Sequence, residues 1–188
     1  MSEAISVLGG ARFTGAIEIT EAGLQGMISL RGDLADAALR AAVTSATGAD
    51  MPDVRRITFG DTGQVAWMSP DELLLLVDYA RADAVVADLS AALANKHHMA
   101  ANVSDARAMF RLHGTGAREV LAKGAPVDLS PQAFGIGDLR RTRIGQLAAA
   151  FWMTDAETFE VVCFRSVGEF LFDWLCVAAE EGSLPEFL

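Results

Sequence analysis

Few side chains in this sequence combine the right type and spacing for chemistry. His97-His98 is the one histidine cluster, and metal ligation is what it could do. Adjacent residues point about 100° apart on a helix and to opposite faces of a strand, so one ion cannot easily take both. A helix C-terminus, where a cation meets the negative end of the dipole, explains the pair better. Asp71-Glu72 is an acidic pair in a turn ahead of an apolar run, and two carboxylates there could divide general-acid and general-base roles. Ser69-Pro70-Asp71-Glu72 is also ordinary turn chemistry, the stronger reading in the absence of an assembled site. His113 stands alone at a strand end, without a serine or cysteine partner, and reads as structural. Cys163 and Cys176 lie in apolar stretches without metal-ligand spacing and read as small buried hydrophobes. Gly114-Thr115-Gly116 lacks the glycine spacing of a phosphate cradle. No residue of the chain is therefore assigned a catalytic, cofactor-binding or metal-binding role.

Arginines and a terminal apolar segment remain. Arg55-Arg56 and Arg140-Arg141 put one guanidinium on each face of a strand, and Arg143 extends the second group. Such residues could clamp a carboxylate or phosphate; ion pairing, internal or with another chain, is the favoured use. The segment 180–188, EEGSLPEFL, breaks a helix at Gly182 and then carries Leu184, Phe187 and Leu188. Those three either fold back as a staple or dock on another protein. Arg55, Arg140, Arg141, Leu184, Phe187 and Leu188 are accordingly the candidate partner-interface residues.

The elements that carry these groups repeat. Residues 53–68 read DVRRITFGDTGQVAWM and residues 138–153 read DLRRTRIGQLAAAFWM, a spacing of 85 from 53 to 138. Six of the sixteen positions agree without a gap: Asp53/Asp138, Arg55/Arg140, Arg56/Arg141, Gly60/Gly145, Trp67/Trp152 and Met68/Met153. Composition alone gives about one match, so the excess indicates an internal duplication. Upstream, Met27/Met109, Leu30/Leu112, Gly32/Gly114 and Leu39/Leu121 align at a spacing of 82, which assigns three extra residues to the Gly- and Pro-rich loop 124–137.

Hydrophobic periodicity predicts a half-buried strand over 24–32 and a helix from Leu34 to about Ala46, capped by Asp33 and stopped by Gly48. A hairpin follows over 54–68, then a buried LLLLVDY strand, then a helix with Val85, Val86, Leu89 and Leu93 on one stripe. The second copy ends on a helix with Val167, Phe170, Leu171, Trp174, Leu175 and Ala178 inward. The predicted class is α+β, two duplicated β-α-β-β-β-α halves with mostly antiparallel sheets and helices on one face. The expected division is an arm at 1–23, a first half at 24–96 and a second half at 97–188 with its tail. Halves of about 80 residues are marginal alone, so a shared core is expected.

Over 188 residues, 25 acids against 15 Lys plus Arg leave a formal charge of −10, which argues against a nucleic-acid partner. Absence of a long apolar window argues against a membrane span, and absence of a leader pattern points to the cytoplasm.

Taken in order, Trp67-Met68-Ser69-Pro70-Asp71-Glu72 followed by Leu73 to Leu76, then Arg111-Leu112-His113-Gly114 ahead of a short helix, then the helix-rich close, resemble the gamma subunit of heterotetrameric sarcosine oxidase. The likeness spans essentially the whole chain. That family is similar to the folate-binding domain of glycine-cleavage aminomethyltransferases, itself a duplicated, interleaved α+β unit. The resemblance implies a non-catalytic subunit, without a cofactor of its own, of an enzyme that oxidatively demethylates sarcosine to glycine with oxygen and tetrahydrofolate. Alpha and beta partners would carry FAD, FMN, NAD and tetrahydrofolate, and a delta partner zinc. The rival reading is a stand-alone folate-binding or aminomethyltransferase-like protein. Asp71-Glu72-Leu73 is a distant echo of the acidic segment of those enzymes, and Cys163 lies in a strand rather than in the cysteine loop of the iron–sulfur assembly relatives. A free-standing assembly factor without a small ligand is a third possibility.

Overall fold

A computed structural model describes residues 3–188. In chain order the strands are β1 (Arg12–Thr14), β2 (Glu18–Glu21), β3 (Gly26–Gly32), β4 (Ile57–Phe59), β5 (Gln64–Ser69), β6 (Glu72–Val77), β7 (His98–Asn102), β8 (Arg107–His113), β9 (Leu139–Ile144), β10 (Leu147–Asp155) and β11 (Thr158–Phe164). The α-helices are α1 (Ala37–Thr47), α2 (Ala82–Ala92), α3 (Ala117–Ala122) and α4 (Gly168–Ala178). The chain divides into two compact units, 25–105 and the pair of segments 1–24 and 106–188.

The unit 25–105 is a five-stranded sheet in the order β4-β5-β6-β3-β7, antiparallel at every pairing. The run ELLLLV becomes β6, buried along its whole length as a central strand must be. Helix α1 starts three residues later than the periodicity predicts, at Ala37 and not Leu34. Asp33 accepts the Ala35 N–H in a turn, and Asp36 is the N-cap, accepting from Ala38 at 2.7 Å. Gly48 closes the helix at φ 70, returning its N–H to Thr44. Leu39 and Val43 of α1 with Val85 and Leu89 of α2 pack on Ile28, Leu30, Val65, Leu73 and Leu75, so both helices cover one face. Each such buried side chain contributes about 2 kcal/mol.

The second unit is a six-stranded antiparallel sheet in the order β1-β2-β8-β11-β10-β9. Phe134, Phe151 and Phe159 form its aromatic centre, with ring centroids 5.7 to 6.5 Å apart. Arg118 ties the loop 124–137 down by donating to the carbonyls of Leu129 and Phe134, both at 2.8 Å. Each unit has its own apolar cluster.

The halves are β-α-β-β-β-α, antiparallel, with helices on one face, as expected. Their boundaries differ from the expected 1–23, 24–96 and 97–188, because each half takes a flanking strand from the segment ahead of the other. β2, in the N-terminal arm, pairs with β8 (Ile19 opposite Leu112), so the arm is part of the second sheet. β7, expected to cross into the second half, pairs with β3 (Leu30 opposite Ala100) and extends the first unit to residue 105. Residues 1 and 2 of the arm lie outside the described residues.

The ladders also correct the repeat. Leu30 faces Leu73 and Leu73 faces Trp67; in the other sheet Leu112 faces Phe159 and Phe159 faces Met153. Met153, not Trp152, therefore occupies the position of Trp67. Both strands bulge at the matching place, between Trp67 and Ser69 and between Met153 and Asp155. The N–H of Trp67 donates to Arg56 O and that of Met153 to Asp138 O. A slip of one residue turns a side chain to the opposite face, and Trp67 is half-buried where Trp152 is fully buried. Ile57 faces Ala66 and Leu139 faces Trp152, so the extra residues lie in the longer β9–β10 hairpin and not in the loop 124–137.

Gly60 and Gly145, paired by identity, serve different ends. A Cβ on Gly60 would lie 2.3 to 2.4 Å from backbone atoms of Thr47, Gly48 and Ala49, whereas Gly145 has room but sits at φ 58. Gly60→Ala is expected to cost about 2 kcal/mol or more, Gly145→Ala about 1 kcal/mol, and Gly145→Asn less than either. Thermal unfolding of the three variants checks the order; equal losses at the two glycines would contradict it.

Candidate functional site

Asp71, Glu72, His98 and His113 are each held in a structural contact, while His97 is exposed ahead of β7. Glu72 is buried in β6, where Ser29 Oγ donates to Oε1 at 3.0 Å and Arg31 Nη2 to Oε2 at 2.8 Å. The same guanidinium reaches Asp71 Oδ2 at 3.3 Å, and Ser69 Oγ donates to Asp71 Oδ1 at 2.6 Å. One arginine thus bridges both carboxylates of a tight turn, which holds the acidic pair in a structural contact. Glu160, deep in β11, accepts from Arg111 Nη2 at 2.9 Å and from Trp152 Nε1 at 3.0 Å, one residue from each flanking strand. Sequence reasoning singled out neither Arg31 nor Glu160, because their partners are distant in the chain.

His98 opens β7 instead of ending a helix, with Nδ1 3.0 Å from the Lys96 carbonyl. His113 Nδ1 lies 2.9 Å from Thr158 Oγ1 on the neighbouring strand. Among the described residues no group of three or more His, Cys, Asp or Glu could hold a metal ion. Burial pushes the Cys163 thiol up to about 12 against the opposing pull of Arg107, and burial also raises Cys176, so neither is a ready thiolate.

The candidate interface arginines do not share one repeated geometry. Arg55 is exposed in the turn before β4 at φ 61. Arg140 and Arg141 lie within β9, the outer strand of its sheet. Arg140 is half-buried, its guanidinium 5.2 Å above the Phe134 ring. Arg141 and Arg143 are exposed. In the ladder Arg56 corresponds to Asp138, so the two arginine pairs matched by identity are not equivalent.

The tail folds back. Leu184 packs on the apolar cluster beside Gly116, and Lys123 Nζ fastens the chain by donating to Ala178 O at 2.5 Å and Ser183 Oγ at 2.9 Å. Glu119, buried on α3, then receives three consecutive backbone N–H groups, from Glu186 at 2.8 Å, from Phe187, and from Leu188 at 2.7 Å. Phe187 nevertheless points outward, 83% exposed, and Leu188 is 41% exposed. A second buried acid does the same at the other end of the chain. Glu21 accepts from Ser6 Oγ at 3.0 Å, Leu8 N at 3.0 Å and Gly10 N at 2.6 Å. Burial pushes the Glu21 carboxyl up, but the donors from Gly10, Leu8 and Ser6 outweigh it and the net shift is downward. On α4 the stripe differs from expectation: Leu171, Leu175 and Ala178 take the core, leaving Phe170 62% exposed.

The N–H groups of Leu188, opposed by burial and helped by Phe187 and Glu186, hold the Glu119 carboxyl below its ordinary 4.5. A depressed folded-state value means that the clamp contributes fully above 4.5 and is lost as pH falls through the lower folded value. Carboxyl-carbon NMR of Glu119 is expected to titrate below 4.5, with the amide shifts of residues 186–188 moving at the same midpoint. A midpoint at or above 4.5 would contradict the clamp.

Comparison with known proteins meets this geometry from outside. Residues 31–181 match the sarcosine oxidase gamma subunit family. Sarcosine oxidase subunit gamma of Corynebacterium sp. (strain P-1) is 29% identical over 143 residues, covering 75% of this chain and 70% of the relative. A chain of the heterotetrameric sarcosine oxidase from Corynebacterium sp. U-96 in complex with pyrrole 2-carboxylate superposes with a TM-score of 0.80 at 27% identity, over 94% of this chain and 91% of that one. The glycine cleavage system aminomethyltransferase T from Bartonella henselae shares the fold, with a TM-score of 0.61 at 12% identity over 86% of this chain and 46% of that one. The chain belongs to the sarcosine oxidase gamma subunit family.

Proposed function

We propose that this chain is the gamma subunit of a heterotetrameric sarcosine oxidase, supporting assembly of the flavin-containing enzyme that oxidatively demethylates sarcosine to glycine, and that it carries no active site of its own. The observation that carries the reading is the match, over nine-tenths of both chains, to a component of a heterotetrameric sarcosine oxidase. It is supported by the use of Asp71, Glu72, Glu160 and His113 in internal contacts. In this reading alpha, beta and delta subunits are the partners and hold FAD, FMN, NAD, tetrahydrofolate and zinc. Arg55, Arg140 and Arg141 meet acidic groups of those partners, and Phe187 and Leu188 supply apolar contact while Leu184 anchors their segment. The complex works in the cytoplasm. No helix among the described residues is long and apolar enough to cross a membrane.

A stand-alone folate-binding or aminomethyltransferase-like protein is the second reading, favoured by the fold shared with aminomethyltransferase T. Two measurements separate them. Expressed together with its genomic neighbours, the tagged chain is expected to co-purify with flavin-bearing chains that oxidise sarcosine; recovery as a lone monomer would sink the subunit reading. Titrated alone with tetrahydrofolate, the chain is expected to show no saturable heat or fluorescence change. Micromolar binding would favour the second reading.

A further inference from the structure

An exposed aromatic on a frayed terminus means little, since single apolar side chains are common on protein surfaces and chain ends are usually loose. The segment 183–188 is not loose. Leu184, half-buried, packs against the core beside Gly116, Lys123 ties Ser183, and Glu119 gathers three successive backbone N–H groups beyond it. Glu186 holds φ 52, a left-handed backbone that an L-residue adopts at some cost. That turn brings neighbouring N–H groups to one side, where a single carboxylate can take them. The consequence is a fixed backbone from which Phe187 stands 83% exposed.

We propose that Glu119 presets this strap so that Phe187 enters an apolar pocket, rimmed by Lys or Arg, on a neighbouring chain of the assembled enzyme. The inference rests on the subunit reading above and names the partner surface. Its chemistry follows from charge. Residues 180–188 carry Glu180, Glu181 and Glu186 and no base, and the nearby Lys123 is already committed to Ala178 and Ser183. An acidic segment that carries an exposed phenyl ring fits a basic rim around an apolar hole. Ordering the strap in the free chain removes that entropy cost from binding, and a buried aromatic anchor is the residue type that dominates interfaces. Glu119 acts through the strap that it holds; it is a positioning residue.

The test uses the whole chain and the remaining subunits, reconstituted from separately purified protein. Phe187→Ala is expected to leave the melting temperature of the free chain unchanged and to weaken association at least about tenfold. Glu119→Gln is expected to speed amide exchange at residues 186–188 and to weaken association by less. The double variant is expected to bind no more weakly than Phe187→Ala alone, because both act through one ring. Wild-type association in Phe187→Ala, or additive losses in the double variant, would overturn the proposal and leave the subunit reading standing. A wild-type chain that joins no flavin-bearing subunit would remove both. Should Glu119→Gln fail to fold, Phe187→Ala against Phe187→Trp decides: loss in the first with retention in the second supports the pocket, and equal behaviour refutes it.

Discussion

A carboxylate that leaves water must be met by donors, and among the described residues four glutamates leave water. Glu21, Glu72, Glu119 and Glu160 are all nine-tenths or more buried. Stripping the partner from a buried charge costs about 3 to 5 kcal/mol, so each site dictates what surrounds it. Glu72 and Glu160 are answered across strands by Arg31 and Arg111. Glu21 and Glu119 are answered by backbone N–H groups of segments outside the sheets. These four acids of an acidic protein are fasteners of strands and termini.

That use of charge suits the duplicated framework. In each sheet the β-α-β-β-β-α unit has a central hairpin partner on one side and, on the other, a strand borrowed from the segment ahead of the opposite half. The five-stranded sheet is continuous from 25 to 105, whereas the six-stranded sheet joins segments from both sides of it. Outer strands and terminal segments are where such a fold is weakest. The Glu21 and Glu119 clamps are located at those segments, and the arginines of β9 occupy an outer strand.

The period-two and helical patterns made the order of elements, their antiparallel pairing and the one-sided placement of helices legible, because burial of one face leaves its mark on local sequence. Register was not legible in the same way. The identity of Trp67 with Trp152 and of Arg55 with Arg140 fell on a spacing of 85, whereas the ladders relate Trp67 to Met153 and Ile57 to Leu139. Matching letters counts a one-residue slip as agreement, although that slip reverses the buried face. The partners of the exchanged strands β2 and β7 were not legible, because pairing is a long-range property that short strands do not announce. Phe170 was placed inward because the stripe of α4 is apolar on more than the face it buries.

Of the candidate site, the sequence showed the arginines and the tail but not what holds the tail. Glu119 sits between Arg118 and Val120 in a short helix, and its partners are backbone amides some seventy residues later, which leave no side-chain pattern to read. The fasteners make a framework that is finished before any partner arrives. Amide hydrogen exchange on the free chain tests this most directly. The amides of Leu8, Gly10, Glu186, Phe187 and Leu188 should be protected well above an open chain, without any other subunit present. Exchange at open-chain rates, with protection arising only upon assembly, would contradict it.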